Sequence, residues 1–374
     1  MNILVTGSRA PAALDLMRAL HSQGHKVFSA DSMRYPLGRF SKSIVRHVIL
    51  PAPNRNPQIY FDSLVQVIQE NKIEYLIPVC EEVFFISRFY KELSDFCHLF
   101  LDPLEKLSAL HNKYKFTQLC QNCQIKVPFT CLLKSNEDKD LIPNENIVLK
   151  PIFSRFGSFV LIKPNAKQIR ELSLHVPYVA QVFIPGIEYC CYAIAHQGKL
   201  LTHAIYHPKY TAGSSAGIYF EPKKLESIDK FLYEFIEKIK FTGQISFDFI
   251  NASDGLYVIE CNPRATSGLH LIANQVNWKK IFEGQPQEIE YLNKPKMLGL
   301  AMLLYGTKKI FSKNRKKFIL DYCNATDVIQ TSQDPWMELK LIFSFAEFFL
   351  KGIKLKKFFK NVTTDDIEWN GEEL

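Results

Sequence analysis

The 374-residue chain is predicted to be a mixed α/β and α+β protein. It opens on a Rossmann-like wound sheet and continues into a largely antiparallel region. Three observations predict this. Strand and helix patterns alternate over residues 1–102, the rhythm of a parallel α/β unit. From about residue 125 the strand patterns follow one another directly, with one clear helix among them at Leu225–Ile239. A strand–turn–strand then closes the run, Gly243–Ile250 followed by Gly255–Arg264. So long a chain exceeds one typical core. We expect a first domain at 1–102 and a second at 103–285, whose smaller lobe spans about 125–185. A mixed C-terminal region, 286–374, completes or caps the larger lobe.

The first strand is Ile3–Val5, and the helix after it places Ala13, Leu14, Leu16, Met17 and Leu20 at helical spacing before Gly24 stops it. Lys26–Ala30 and Ile44–Leu50 read as strands, Phe61–Glu70 as a helix and Tyr75–Val79 as a strand. A dinucleotide site would need three glycines in the first turn. The turn Gly7-Ser8-Arg9-Ala10-Pro11-Ala12 has one, so NAD binding is excluded and the domain reads as a scaffold beside the main site. Pro11 is suited to the first helical position.

Pro103–Cys123 reads as one or two helices carrying Lys106, Lys113 and Lys115. After a polar stretch at 135–146, Ile147–Pro151 is a strand that ends on Lys150. The small-residue turn Ser154–Ser158 leads to a strand at Phe159–Lys163. Tyr178–Ile184 and Glu188–Ala195 flank the turn signal Pro185-Gly186. The helix at Leu225–Ile239 carries Leu225, Ile228, Phe231, Leu232, Phe235, Ile236 and Ile239 on one stripe. The segment His207–Gly217 is rich in small residues and reads as a long loop, a kind that is often functional inside a compact domain.

Composition narrows the function. Hydrophobic residues at 47% and charged residues at 22% describe an ordinary soluble globular protein. The net charge of +8 favours an anionic small molecule such as a nucleotide. No nucleic-acid module is present in the pattern. Nine scattered cysteines and the absence of a secretory start point to a reduced, cytoplasmic setting. Cys120 and Cys123 form a lone CxxC without a second pair at zinc spacing, and Cys190-Cys191 lie on opposite faces of a strand. The longest apolar run, Met297–Tyr305, is about half of what a membrane span needs.

Toward the C-terminus, residues 306–317 are basic, and Asp334-Pro335 has the form of a helix cap followed by proline at the first helical position. Residues 336–360 combine Trp336 and six phenylalanines with lysines that include Lys351, Lys354, Lys356, Lys357 and Lys360. That segment reads either as a terminal helix covering the core or as a helix lying on an anionic membrane surface.

The strand–turn–strand at 243–264 is the most informative feature. Asp248 lies near the end of one strand, and Glu260 and Asn262 share one face of the next because side chains alternate; the three converge if Asp248 faces the same side. All three offer only oxygen, the preference of a hard cation such as Mg²⁺ that also takes substrate phosphates. Lys113, Lys150, the Ser154–Ser158 loop and the strand Gln181–Ile184 with Glu188 precede this motif in order.

That succession resembles the ATP-grasp superfamily, in the branch that includes biotin carboxylase, the carbamoyl phosphate synthase large subunit and other carboxylate–amine ligases. The resemblance covers about residues 1–275, with Glu260-Cys261-Asn262-Pro263-Arg264 its most specific element. It implies ATP held between two lobes, with Lys113 and Lys150 on the phosphates. It implies a flap in which Gly157 and Ser158 close over the phosphates. Adenine would be read by the backbone of Gln181, Val182, Phe183 and Ile184, and the ribose by Glu188. Asp248, Glu260 and Asn262 would hold Mg²⁺ or Mn²⁺, although relatives more often carry Glu at the first position. Arg264 would face the transferring phosphoryl group, and Lys209 with its loop would lie near the acceptor. His270 reads as structural.

The implied activity is ATP-dependent activation of a carboxylate as an acyl phosphate, then attack by an amine with release of ADP and phosphate. Its partners are ATP and small carboxylate and amine substrates, and dimers are common among similar enzymes. Arg155 and Phe156 stand where relatives are smaller. They motivate an alternative, a catalytically weakened ATP-binding sensor or scaffold.

Overall fold

The computed structural model describes residues 1–154, 159–213, 216–290, 294–310, 315–356 and 362–372. The chain begins with β1 (Asn2–Thr6), α1 (Pro11–Ser22), β2 (Lys26–Asp31), β3 (Arg46–Ile49), α2 (Pro57–Glu70), β4 (Tyr75–Ile77), α3 (Glu82–Arg88), α4 (Tyr90–Ser94) and β5 (His98–Leu99). The five strands pair in parallel in the order β3-β2-β1-β4-β5. Strand order therefore reverses at β1, which puts the topological switch point at the carboxyl ends of β1 and β4. Gly7 turns the chain there with φ +66°, where a Cβ would meet Glu82 Oε1 at 2.6 Å. Glu82 in turn accepts from Thr6 Oγ1 at 2.8 Å and Val79 N at 3.1 Å, which ties the two strand ends together.

Next come α5 (Leu104–His111), α6 (Lys113–Asn122), β6 (Thr130–Leu133), β7 (Ile147–Pro151), β8 (Leu161–Ile162), α7 (Ala166–Arg170) and β9 (Tyr178–Val182). These strands form an antiparallel sheet, β6-β9-β7-β8. The strand expected at Phe159–Lys163 shrinks to Leu161–Ile162, because Phe159 and Lys163 both take positive φ.

A larger sheet follows, built from β10 (Ile187–His196), β11 (Lys199–Ala212) and β12 (Ala216–Lys223), then, past α8 (Glu226–Ile239), from β13 (Gly243–Ala252) and β14 (Gly255–Asn262). Here the expected loop at His207–Gly217 is corrected. Residues 207–212 continue β11 and pair with β12, with register shifts at Pro208–Thr211 absorbing the proline. The small residues have loop composition, but Tyr210 and Tyr219 pair across the ladder and are both buried. Beneath the sheet, Ile228, Phe231, Leu232, Phe235 and Ile236 of α8 are buried against Phe247 and Phe249. Each such phenylalanine contributes about 1.5–3 kcal/mol of burial.

The chain ends with α9 (Leu269–Ile272), α10 (Trp278–Phe282), β15 (Lys296–Met297), α11 (Gly299–Ile310), α12 (Arg315–Asn324), β16 (Thr326–Asp327) and α13 (Met337–Leu355). β15 and β16 extend the large sheet to β14-β13-β10-β11-β12-β15-β16. Asp334 does not cap α13, whose N-cap is Trp336 without a side-chain hydrogen bond. Its carboxylate instead receives Arg18 Nε at 2.8 Å, Ser41 Oγ at 2.7 Å and Lys42 N at 2.7 Å. Arg18 is fully buried, and a counter-charge from elsewhere in the chain is worth more there than a cap on an exposed helix end. Among the described residues no helix is long and apolar enough to cross a membrane, and the cysteines are free thiols.

Candidate active site

The β13–β14 ladder places Asp248 directly opposite Glu260, and Ser246 opposite Asn262. Cross-strand partners share a face, so both carboxylates and the Asn262 amide emerge on the same side of the sheet. The opposite side is committed to apolar packing by Phe247, Phe249, Val258 and Cys261, all in the core with α8. The alternation of the sequence therefore decides which side becomes polar. Burial, with Glu260 and Glu188 nearby, pushes the Asp248 carboxyl up to about 7. Glu260 behaves oppositely. Burial alone would raise it, but Lys113 and Lys150 pull it below the ordinary carboxylate range.

Both lysines are buried and reach this face from other elements. Asn112 caps α6 by accepting from Tyr114 N and Lys115 N at 3.1 and 3.0 Å, and Lys113 N bonds Ile152 O at 3.0 Å. The first residue of α6 is thus pinned to the end of β7, and Lys113 Nζ sits 3.4 Å from Glu260 Oε1. Lys150, near the end of β7, donates to Ile259 O at 3.3 Å. Burial pulls its ammonium down to about 8, with Lys113 adding to the effect against Glu260.

Arg264 follows the ladder and turns toward the parallel sheet. Its Nε donates to Glu81 Oε1 at 2.7 Å and its Nη2 to Asn262 Oδ1 at 3.4 Å. Glu81 holds the guanidinium charged against the cost of burial. The sequence reading missed Glu81. An acidic pair, Glu81-Glu82, directly after a parallel strand was the available signal. It also missed His111, which is buried between Phe84 and Phe153 with no hydrogen-bond partner on either ring nitrogen. Burial pulls that imidazole down to about 4, so it is neutral at pH 7, and its Nε2 lies 3.9 Å from Glu81 Oε2.

The remaining expectations divide. Glu188 lies on β10, one of the two strands flanking β13, on the same face as Cys190, the cross-strand partner of Asp248. Gln181 and Val182 lie in β9 between β6 and β7; Val182 N is taken by Phe129 O at 2.9 Å and Phe183 N by Asn146 O at 2.8 Å. Of the four, Ile184 is the position past the paired stretch. Gly157 and Ser158, with Arg155 and Phe156, lie outside the described residues. Lys209 belongs to another group: it pairs with Asp321 at 2.8 Å and Glu221 at 3.9 Å and lies over the Tyr219 ring. His270 is buried and bonds Asp15 at 2.8 Å, a structural tie between α9 and α1.

Residues 110–268 match the ATP-grasp domain family. That segment, less than half of the chain, is similar to an ATP-grasp domain. The chain is similar in structure to N5-carboxyaminoimidazole synthetase from Staphylococcus aureus complexed with ADP. That match has a TM-score of 0.64 at 16% identity, over 82% of this chain and 85% of that one. An L-amino acid ligase from Bacillus licheniformis matches with a TM-score of 0.58 at 18% identity, over 73% of this chain and 70% of that one. At these identities the likeness shows the fold. In sequence, an uncharacterised protein of Methanocaldococcus jannaschii is 23% identical over 235 residues, 61% of this chain. The match spans 60% of that relative's length.

Among the described residues no three His, Cys, Asp or Glu side chains cluster in a way that could hold a metal ion. The face carries two facing carboxylates and an amide. Its all-oxygen character fits Mg²⁺, which takes few protein ligands and fills the rest with water and phosphate oxygens.

Proposed function

We propose that the chain is an ATP- and Mg²⁺-dependent ligase that joins a carboxylate to an amine. The observation that carries this reading is the pairing of Asp248 with Glu260 on a face that also receives Lys113 and Lys150. Two acids forced together beside two buried lysines are costly in the empty protein. The cost is offset when the acids meet a divalent cation and the lysines meet phosphate oxygens.

Asp248, Glu260 and Asn262 would hold Mg²⁺ or Mn²⁺, which when bound neutralises charge on the β- and γ-phosphates. Lys113 and Lys150 bind the phosphates as point charges. Val182 and Phe183 have committed their N–H groups to the carbonyls of Phe129 and Asn146, so backbone recognition of adenine falls to Ile184. Glu188 accepts from the ribose hydroxyls. A substrate oxygen then attacks the γ-phosphorus, ADP leaves, and the amine displaces phosphate from the acyl phosphate. Arg264 orients the phosphoryl oxygens; its fork geometry suits that role, and Glu81 fixes its plane. The acceptor enters at the switch point beside β1 and β4, where Glu81 meets Arg264 and neutral His111. Catalysis is mostly positioning and electrostatic stabilisation.

The test is Glu260→Ala. Carboxylate-dependent ADP release should fall by at least about 10²-fold while the melting curve stays cooperative. Turnover at the wild-type rate would refute the assignment.

A further inference from the structure

Helix α13 runs for 19 residues. Its inner side is anchored: Met337 and Ser344 are buried, Ser344 bonds Tyr35 O at 2.6 Å, and Phe343 stacks near Tyr35 and Phe40 at one edge. Its outer side is apolar and bare. Trp336 is 69% exposed, Leu339 67%, Ile342 66%, Phe349 62%, Leu350 65% and Ile353 62%. The spacing of three, four and seven residues puts them on one continuous stripe. A stripe of large side chains this long is not a usual surface for a lone protein.

We propose that α13 is an interfacial helix that docks the protein, lying flat, on an anionic phospholipid surface. Charge decides the occupant. Both acids of the helix turn inward. Glu347 accepts from Arg34 N at 2.9 Å and Tyr35 N at 2.7 Å, and Glu338 faces Asp327 and Gly299. Among the described residues, the charged groups left at the outer side are Lys354 and Lys356, at the end of the stripe. A cavity of about 260 Å³ opens beside that end; its wall holds Arg55, Lys351 and Lys354 together with Glu347 and Asp366, and Lys351 is paired with Asp366 at 2.8 Å, so the deciding charge is that of the lysines at the stripe itself. A second copy of this chain would offer those lysines no acid from its own α13. A layer of phosphate groups complements them, while the stripe enters the acyl boundary. Trp336, at the start of the helix, is of the residue type that settles at the interface. The helix is not apolar enough to span, which fixes the geometry as flat.

The test uses the full-length protein and vesicles of phosphatidylcholine, with or without phosphatidylglycerol. Sedimentation with the anionic vesicles should exceed that with the neutral ones by at least about tenfold, and Trp336 emission should shift to the blue. Ile342→Ser with Phe349→Ser should abolish binding and leave the melting temperature unchanged, since both side chains face solvent. Lys354→Glu with Lys356→Glu should remove the preference for anionic lipid. Equal sedimentation with both vesicles would overturn the proposal. So would a dimer in light scattering that the serine variant makes monomeric without any vesicle binding, because the stripe would then belong to a second copy.

Discussion

Arg264 Nε donates to Glu81 Oε1 at 2.7 Å, and this one contact joins the end of the β13–β14 ladder to the carboxyl edge of the parallel sheet. Both groups are largely buried. Breaking such a pair leaves one charge uncompensated. Glu81→Gln is expected to cost about 2–4 kcal/mol in urea unfolding. Combined with Arg264→Met it should cost less than the two single changes added together. Strict additivity would show that the two residues do not act as a pair.

Asp248 illustrates a conflict between stability and function. Its carboxyl is pushed up to about 7 by burial and by Glu260 across the ladder. Asp248→Asn removes that conflict. The metal-free variant should be more stable than wild type at pH 8 by about 1–2 kcal/mol, while ADP release falls by about 10²-fold or more. A variant less stable than wild type would mean that the carboxylate is a structural partner.

Asp366 gives a pH-dependent test away from the nucleotide. Burial would raise its pKa, but Arg9 at 2.7 Å and Lys351 at 2.8 Å hold it far below the ordinary range. At acid pH the unfolded chain therefore binds a proton that the folded protein does not. The contribution is present above the ordinary Asp pKa and is lost as pH falls below it. Asp366→Asn should cost about 2–4 kcal/mol at pH 7, and the gap from wild type should close progressively below about pH 4. A constant gap would assign the loss to packing.

Lys209 separates the sequence expectation from the tertiary arrangement. With Asp321 at 2.8 Å, it ties β11 to α12. Lys209→Met should lower the melting temperature by a few degrees, roughly 1–2 kcal/mol. The kcat for ADP release should stay within about threefold of wild type. A loss of about 10²-fold in kcat without a change in melting temperature would return this residue to the acceptor site.

Local pattern made much of the architecture legible. The stripe from Ile228 to Ile236 is the buried face of α8, and the alternation through Phe247, Asp248 and Phe249 separates core from site. Where several propensities compete, reading failed. Pro208 and the glycines near it suggested a loop, yet cross-strand pairing carries β11 through to Ala212 by way of a bulge. Asp334-Pro335 has a helix-cap form, but buried Arg18 outcompetes the helix end for the carboxylate.

The sequence by itself determined that Glu260 and Asn262 would share a face, because side chains alternate along one strand, while the register of the ladder decided that Asp248 joins them. Only the tertiary structure decided which charges would meet that face. Lys113 and Lys150 arrive at it from an α-helix and a separate sheet. Glu81 arrives from a third element, more than 180 positions before Arg264. Lys209 is drawn away by Asp321, 112 positions later. Contacts at such separations depend on how layers pack. Side-chain period and turn chemistry are local and do not encode them.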